Sequence, residues 1–93
     1  MSQTLQIREA FCSAVNAVKR NALTVQTLDT NHYLGGDLGI DSIEMLEIWF
    51  RIEKSCETQI PDADKRDIYT VDEVLNVVYR HLPAVKKEEL AHV

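Results

Sequence analysis

Long hydrophobic runs are missing from this chain of 93 residues; no apolar stretch exceeds three in a row. Nothing in it is therefore built to span a bilayer. The first residues, Met1 to Gln6, also lack the basic start and apolar stretch of a signal peptide. Cysteine is scarce. Cys12 and Cys56 are too few and too far apart for a disulfide framework or a zinc site. They read as reduced, half-buried helix residues of a cytoplasmic protein. Basic residues are in the minority, 10 Lys and Arg against 15 Asp and Glu, for a net charge of -5. That argues against nucleic acid as a partner, because phosphate binding needs clustered Lys and Arg. An acidic surface instead favours basic protein partners through electrostatic steering. No segment alternates in the manner of a strand and no repeat is present. At this length one domain is expected, too small to enclose a deep, water-free active site.

What is there is helical. From about Thr4 to Lys19 the apolar residues Ile7, Phe11, Ala14, Val15 and Val18 recur on one helical face. Asn21 is the expected stop. Leu23, Val25, Leu28, Tyr33 and Leu34 follow without a period, in a loop of roughly twenty residues, a length that is functional or packed down by its own apolar residues. Asp41 and Glu44 then have capping-box spacing and open a helix running to Lys54. It carries two apolar stripes. Met45, Ile48, Trp49, Ile52 and Cys56 form one, and Ile43, Leu46 and Phe50 the other. A small domain rarely buries both, so one is expected to face a partner. Pro61 limits Asp62–Asp67 to a short turn. Thr70 and Glu73 form a second box and open a helix through Leu82, ended by Pro83. The expected fold is all-α, with three longer helices, one short one and a long first loop over residues 1–83, followed by a solvated tail at 84–93.

The residues with chemical interest are Asp37-Leu38-Gly39-Ile40-Asp41-Ser42-Ile43. If Asp41 caps the helix, Ser42 lies in its first turn and points into solvent. A phosphate there would meet unpaired N–H groups and the positive end of the helix dipole. The site suits a permanent phosphodiester. It suits a nucleophilic serine poorly, since no histidine is near in sequence. A serine at a helix start is ordinary by itself, and its neighbours are what single this one out.

Those neighbours resemble the phosphopantetheine attachment signature of acyl carrier proteins, Asp-Leu-Gly-x-Asp-Ser-Leu. Gln59-Ile60-Pro61-Asp62 resembles that family's approach to its short third helix, and Thr70-Val71-Asp72-Glu73-Val74 the start of its last helix. The resemblance runs from about Ile7 to Leu82, with three motifs in order. It implies a four-helix carrier bundle that is not an enzyme. A phosphopantetheinyl transferase moves 4′-phosphopantetheine from coenzyme A to Ser42, beside Asp41 and Ile43, and the arm carries acyl groups as thioesters. By the same resemblance Asp37, Ile43, Glu44, Leu46, Glu47, Phe50 and Glu53 meet partner enzymes of acyl-loading, ketosynthase or acyltransferase type through their basic patches. Met45, Ile48, Trp49 and Ile52, with Ile60 and Ile68 opposite, line an acyl pocket. The expected carrier is a free-standing monomer acting in the cytoplasm of fatty-acid, polyketide or related biosynthesis. It has no metal, nucleic-acid or membrane partner.

The chain departs from the family pattern in places. Ile43 replaces Leu, Lys54 stands where an acid is common, Cys56 where Phe is common, and Lys65-Arg66 add positive charge. Trp49 is bulky for a pocket. Tyr33-Leu34-Gly35-Gly36 resembles the Leu-Gly-Gly of peptidyl carriers, which keeps a peptidyl or aminoacyl cargo open. These features point to a specialised carrier. An unmodified docking module with the same fold is the alternative. Asp62, Asp64 and Asp67 lack the Gly and the final Glu of a calcium loop. His32, His81 and His92 have no metal spacing and read as surface residues. Tyr33 and Tyr69 are given no chemistry.

Overall fold

Both capping boxes form, and they fix where two of the helices begin. In the computed structural model, which describes residues 5–82, the Asp41 side chain accepts from the Glu44 amide at 2.8 Å. The Asp41 amide donates to Glu44 Oε1 at 3.0 Å. Thr70 and Glu73 repeat the arrangement. The elements are α1 (Leu5–Lys19), α2 (Ser42–Ser55), a 3-10 turn (Asp62–Lys65) and α3 (Val71–Arg80). The chain is all-α, with no strand among the described residues. The tail at 84–93, Pro83 and His92 lie outside the described residues.

Helix α1 turns Ile7, Phe11, Ala14 and Val15 inward, as their spacing requires. It packs against α2 and, less extensively, against α3. The core between them is made of Ile48, Trp49 and Ile52 of α2, Val71, Val74, Leu75 and Val78 of α3, and Leu34, Ile40 and Ile60 from the connections. Lys19 reaches across to Glu44 at 3.0 Å and ties α1 to the first turn of α2. Helix α1 ends at Lys19, as its apolar period does, and the chain turns at Arg20 rather than at Asn21. Arg20 takes a left-handed conformation, φ 56°, at the position where glycine is the usual choice. Helix α3 ends at Arg80, two residues before Leu82, whose side chain is still buried.

The long loop is packed down. Asn16 of α1 clips it with paired bonds to the amide and carbonyl of Leu23, both 2.9 Å. Further on it pairs with the segment ahead of α3. The Leu34 amide donates to the Tyr69 carbonyl at 2.8 Å, and the Val71 amide to the His32 carbonyl at 3.1 Å. Tyr33 and Thr70 thereby form a single antiparallel bridge. One paired position has no periodicity to betray it in the sequence.

The second connection is tied just as firmly. Glu53 accepts from the Ile60 amide at 2.8 Å and from Lys65 Nζ at 3.2 Å, and the Lys65 ammonium stands 5.8 Å from the centre of the Trp49 ring. His81 is not the free surface residue that the sequence implied. Its Nε2 lies 2.7 Å from Asp64 Oδ2, and its carbonyl accepts from Thr58 at 2.6 Å. The 3-10 turn is thus bonded to the ends of both α2 and α3.

Two outcomes follow from these termini. Arg20→Gly relieves a left-handed strain of about 1–2 kcal/mol, offset in part by the chain entropy of glycine, so a net gain of about 0.5 kcal/mol is expected. Thermal unfolding should shift up by about 2–4 °C. The Tyr69 and then the Thr70 amide, by donating to Glu73, hold its carboxyl below the usual carboxylate range. The stability this adds is present above the unfolded pKa near 4.5 and is lost as pH falls through the folded value. Glu73→Gln should therefore be less stable than the parent in urea at neutral pH. The gap should narrow as pH falls below 4.5 and the carboxyl becomes protonated.

Candidate functional site

Ser42 owes its position to a short run of backbone constraints. The Leu38 and Asp37 amides turn back on the Tyr33 carbonyl, the Gly39 amide donates to the Gly35 carbonyl at 3.0 Å, and the Ile40 amide to Leu34 at 3.0 Å. Gly39 has φ 67°, a conformation that costs a side-chain-bearing residue about 1–2 kcal/mol. The turn buries Ile40 and leaves Asp41 extended as the cap. Ser42 is then the first residue of α2, exposed, one position inside the cap.

The Asp41 side chain and carbonyl take the amides of Glu44 and Met45. Those of Ser42 and Ile43 have no acceptor among the described residues. They are the two free donors of the helix start, beside the Ser42 hydroxyl and at the positive end of the dipole. An anion esterified to Ser42 is well placed there. No hydrogen bond joins Ser42 to a histidine or carboxylate among the described residues.

A groove of about 500 Å³ opens beside the serine, lined by Tyr33, Leu34, Gly35, Gly36, Ile40, Asp41, Ser42, Met45, Ile68 and Tyr69. A hollow around Cys12 and Asn16 has about 510 Å³, so volume does not distinguish the groove; Ser42 does. Of the six residues expected to line an acyl pocket, only Met45 and Ile68 are here. Ile48, Trp49, Ile52 and Ile60 are buried in the core instead. Trp49 is buried between the helices, and the groove lies outside them. Sequence reasoning missed Tyr33, Leu34, Gly35, Gly36, Ile40 and Tyr69. The Gly35-Gly36 pair was the one available signal. Tyr33 and Tyr69 come to line one groove through the pairing of the loop with the segment ahead of α3.

The expected docking residues divide. Ile43, Leu46 and Phe50 form an outward stripe on α2, 79%, 67% and 63% exposed, while Ile48, Trp49 and Ile52 turn inward. Ile43 does not line the groove. Glu47 is exposed and pairs with Arg51 one turn on, at 2.8 Å. Asp37 accepts from the Tyr33 amide at 2.7 Å and braces the turn. Glu44 is shared between the cap and Lys19. Glu53 is turned toward the second connection. Its side chain is 18% exposed and both oxygens are bonded within the chain, to Lys65 and to the Ile60 amide. Lys65 is likewise held between Glu53 and Asp62.

The cysteines are more deeply buried than expected, and Cys56 is the cap of α2 rather than part of the helix. Burial pushes the Cys12 thiol up, against a smaller opposing pull from Arg8, so it is a poor nucleophile. No group of three or more potential metal ligands occurs among the described residues.

A Cβ at Gly39 would meet nothing within 4 Å. Gly39→Ala should therefore destabilise through backbone strain alone, by about 1 kcal/mol, measurable by urea denaturation. No known protein-family model matches the chain.

Proposed function

We propose that the chain is an acyl carrier protein, bearing 4′-phosphopantetheine on Ser42 and handing thioester-bound acyl groups between enzymes of fatty-acid, polyketide or related biosynthesis. One observation carries this reading. Ser42, within Asp37-Leu38-Gly39-Ile40-Asp41-Ser42-Ile43, is the exposed first residue of α2, with two unpaired amides beside it. Three helices and a 3-10 turn in this order are consistent with the carrier bundle, the turn standing for the short third helix.

The residues fit the group. A phosphodiester carries one negative charge, which the free amides of Ser42 and Ile43 and the helix dipole favour. The arm, when bound, supplies a terminal thiol for thioester exchange. The Ser42 hydroxyl gives up its proton to a base on the transferase. Its oxygen then forms a P–O bond as the pyrophosphate of coenzyme A breaks, with adenosine 3′,5′-bisphosphate leaving. Asp41 and Gly39 hold the serine outward throughout. The chain offers no nucleophile–base pair of its own at this point and so serves as the substrate.

Partners would meet Ile43, Leu46 and Phe50, with Glu47, Asp41 and Asp37 at the edge of the contact. The transferase is one such partner; loading, ketosynthase and acyltransferase enzymes with apolar hollows rimmed by basic residues are others. No helix among the described residues is long and apolar enough to cross a membrane.

Incubation with coenzyme A and a broad-specificity phosphopantetheinyl transferase should add the mass of one phosphopantetheine. Ser42→Ala should gain nothing, and Leu46→Asp should be loaded more slowly because the exposed stripe is interrupted. A folded protein that gains no mass with its own cognate transferase would instead be a docking module that keeps the fold.

A further inference from the structure

Trp49 blocks the usual way of accommodating a long chain, and what blocks it is charge as well as bulk. It is buried, Lys65 stands over its ring, and Lys65 is anchored to Glu53, itself bonded to the Ile60 amide. Opening a channel between the helices would move Trp49 against this tie and displace the buried side chains around it. A group tethered at Ser42 is therefore left with the outer groove.

That groove has its own chemistry. Tyr33 and Tyr69 line it, 58% and 59% exposed. The pairing of Leu34 with Tyr69 keeps these two residues close to each other. Tyr69 also donates its hydroxyl to Asp67 at 3.1 Å, and that bond pushes the phenol pKa up, so it stays neutral. Met45 adds a polarisable thioether, which packs well on aromatic rings. Gly35 and Gly36 complete the lining, and neither has a left-handed backbone. A Cβ on either would meet no protein atom closer than 3.7 Å. Their backbone does not demand glycine; without side chains they leave the groove clear beside Ser42.

We propose that this groove seats the acyl end of the group carried on Ser42, and that it selects short acyl groups with a planar aromatic or conjugated end. The inference rests on the carrier reading. Two tyrosines and a thioether reward a flat π-system. A long saturated chain gains little from them, and its remaining length finds no dry space.

The test uses the intact chain loaded by a broad-specificity transferase from coenzyme A, benzoyl-coenzyme A or octanoyl-coenzyme A, with loading read by mass. The benzoyl thioester on the protein should react with hydroxylamine about two- to tenfold more slowly than free benzoyl-pantetheine, the range one aromatic contact supplies. The octanoyl thioester should be unprotected. Amide NMR shifts on benzoyl loading should centre on Gly35, Gly36 and Tyr69. In loaded Tyr33→Ala/Tyr69→Ala, and in loaded Gly36→Val, the protection should fall away. Equal protection of both thioesters, or shifts centred on Ile48, Ile52 and Ile60, would overturn the proposal while leaving the carrier reading intact. Failure to load any of the three, with the cognate transferase as well as the broad-specificity one, would remove that reading, and the groove's assignment with it.

Discussion

The pairing of the long loop with the segment before α3 is the constraint on which the rest of the site depends. The loop holds more than a quarter of the described residues and has no helix to stiffen it. What fixes it is one bridged position, with Leu34 donating to Tyr69 and Val71 to His32, and the burial of Leu34 and Ile40 behind it. Ile40 bonds back to Leu34, Gly39 to Gly35, and Asp41 follows directly as the cap. Ser42 is thus located by a chain of backbone bonds that starts at the foot of α3. The same bonds set the walls of the groove beside it.

Charge is used inward more than the composition implies. A net charge of -5 invites a picture of acids spread over the surface for partners to find. Yet Glu44 is divided between a cap and Lys19, Glu53 braces the 3-10 turn through Lys65, Glu73 caps α3, and Asp64 holds His81. Several acids are committed to joining elements of a domain whose small core leaves it in need of such joints. On the outward side of α2 the prominent feature is the apolar stripe, with Glu47 balanced by Arg51.

Helix identity was legible because it rests on local chemistry. The period of Ile7, Phe11, Ala14 and Val15, and both capping boxes, depend on residues a turn apart, and the structure keeps them. The division of α2 into two stripes was legible for the same reason. Its outward face was named only by resemblance, and burial agrees. What escaped depends on contacts between distant residues. The bridge at Tyr33 and Thr70 joins positions 37 apart, the bond of His81 to Asp64 joins positions 17 apart, and Glu53 looks like any exposed helix acid until Lys65 and Ile60 are folded onto it. The groove is the clearest case. Helical spacing placed Ile48, Trp49 and Ile52 on an inward face, but could not say whether that face was filled or hollow. Its side chains are buried in the core, and the groove beside Ser42 lies where two loops meet.

The contact of Lys65 with Trp49 has a practical side. Trp49 is the sole tryptophan of the chain, sits in the core, and has an ammonium group 5.8 Å from its ring centre. Its emission therefore belongs to one place in the molecule. In the folded protein that place is apolar and close to a fixed charge; in the unfolded chain it is water. The chain carries its own optical label at the junction of α2 with the 3-10 turn, so separation of these two elements can be followed by light without attaching a dye.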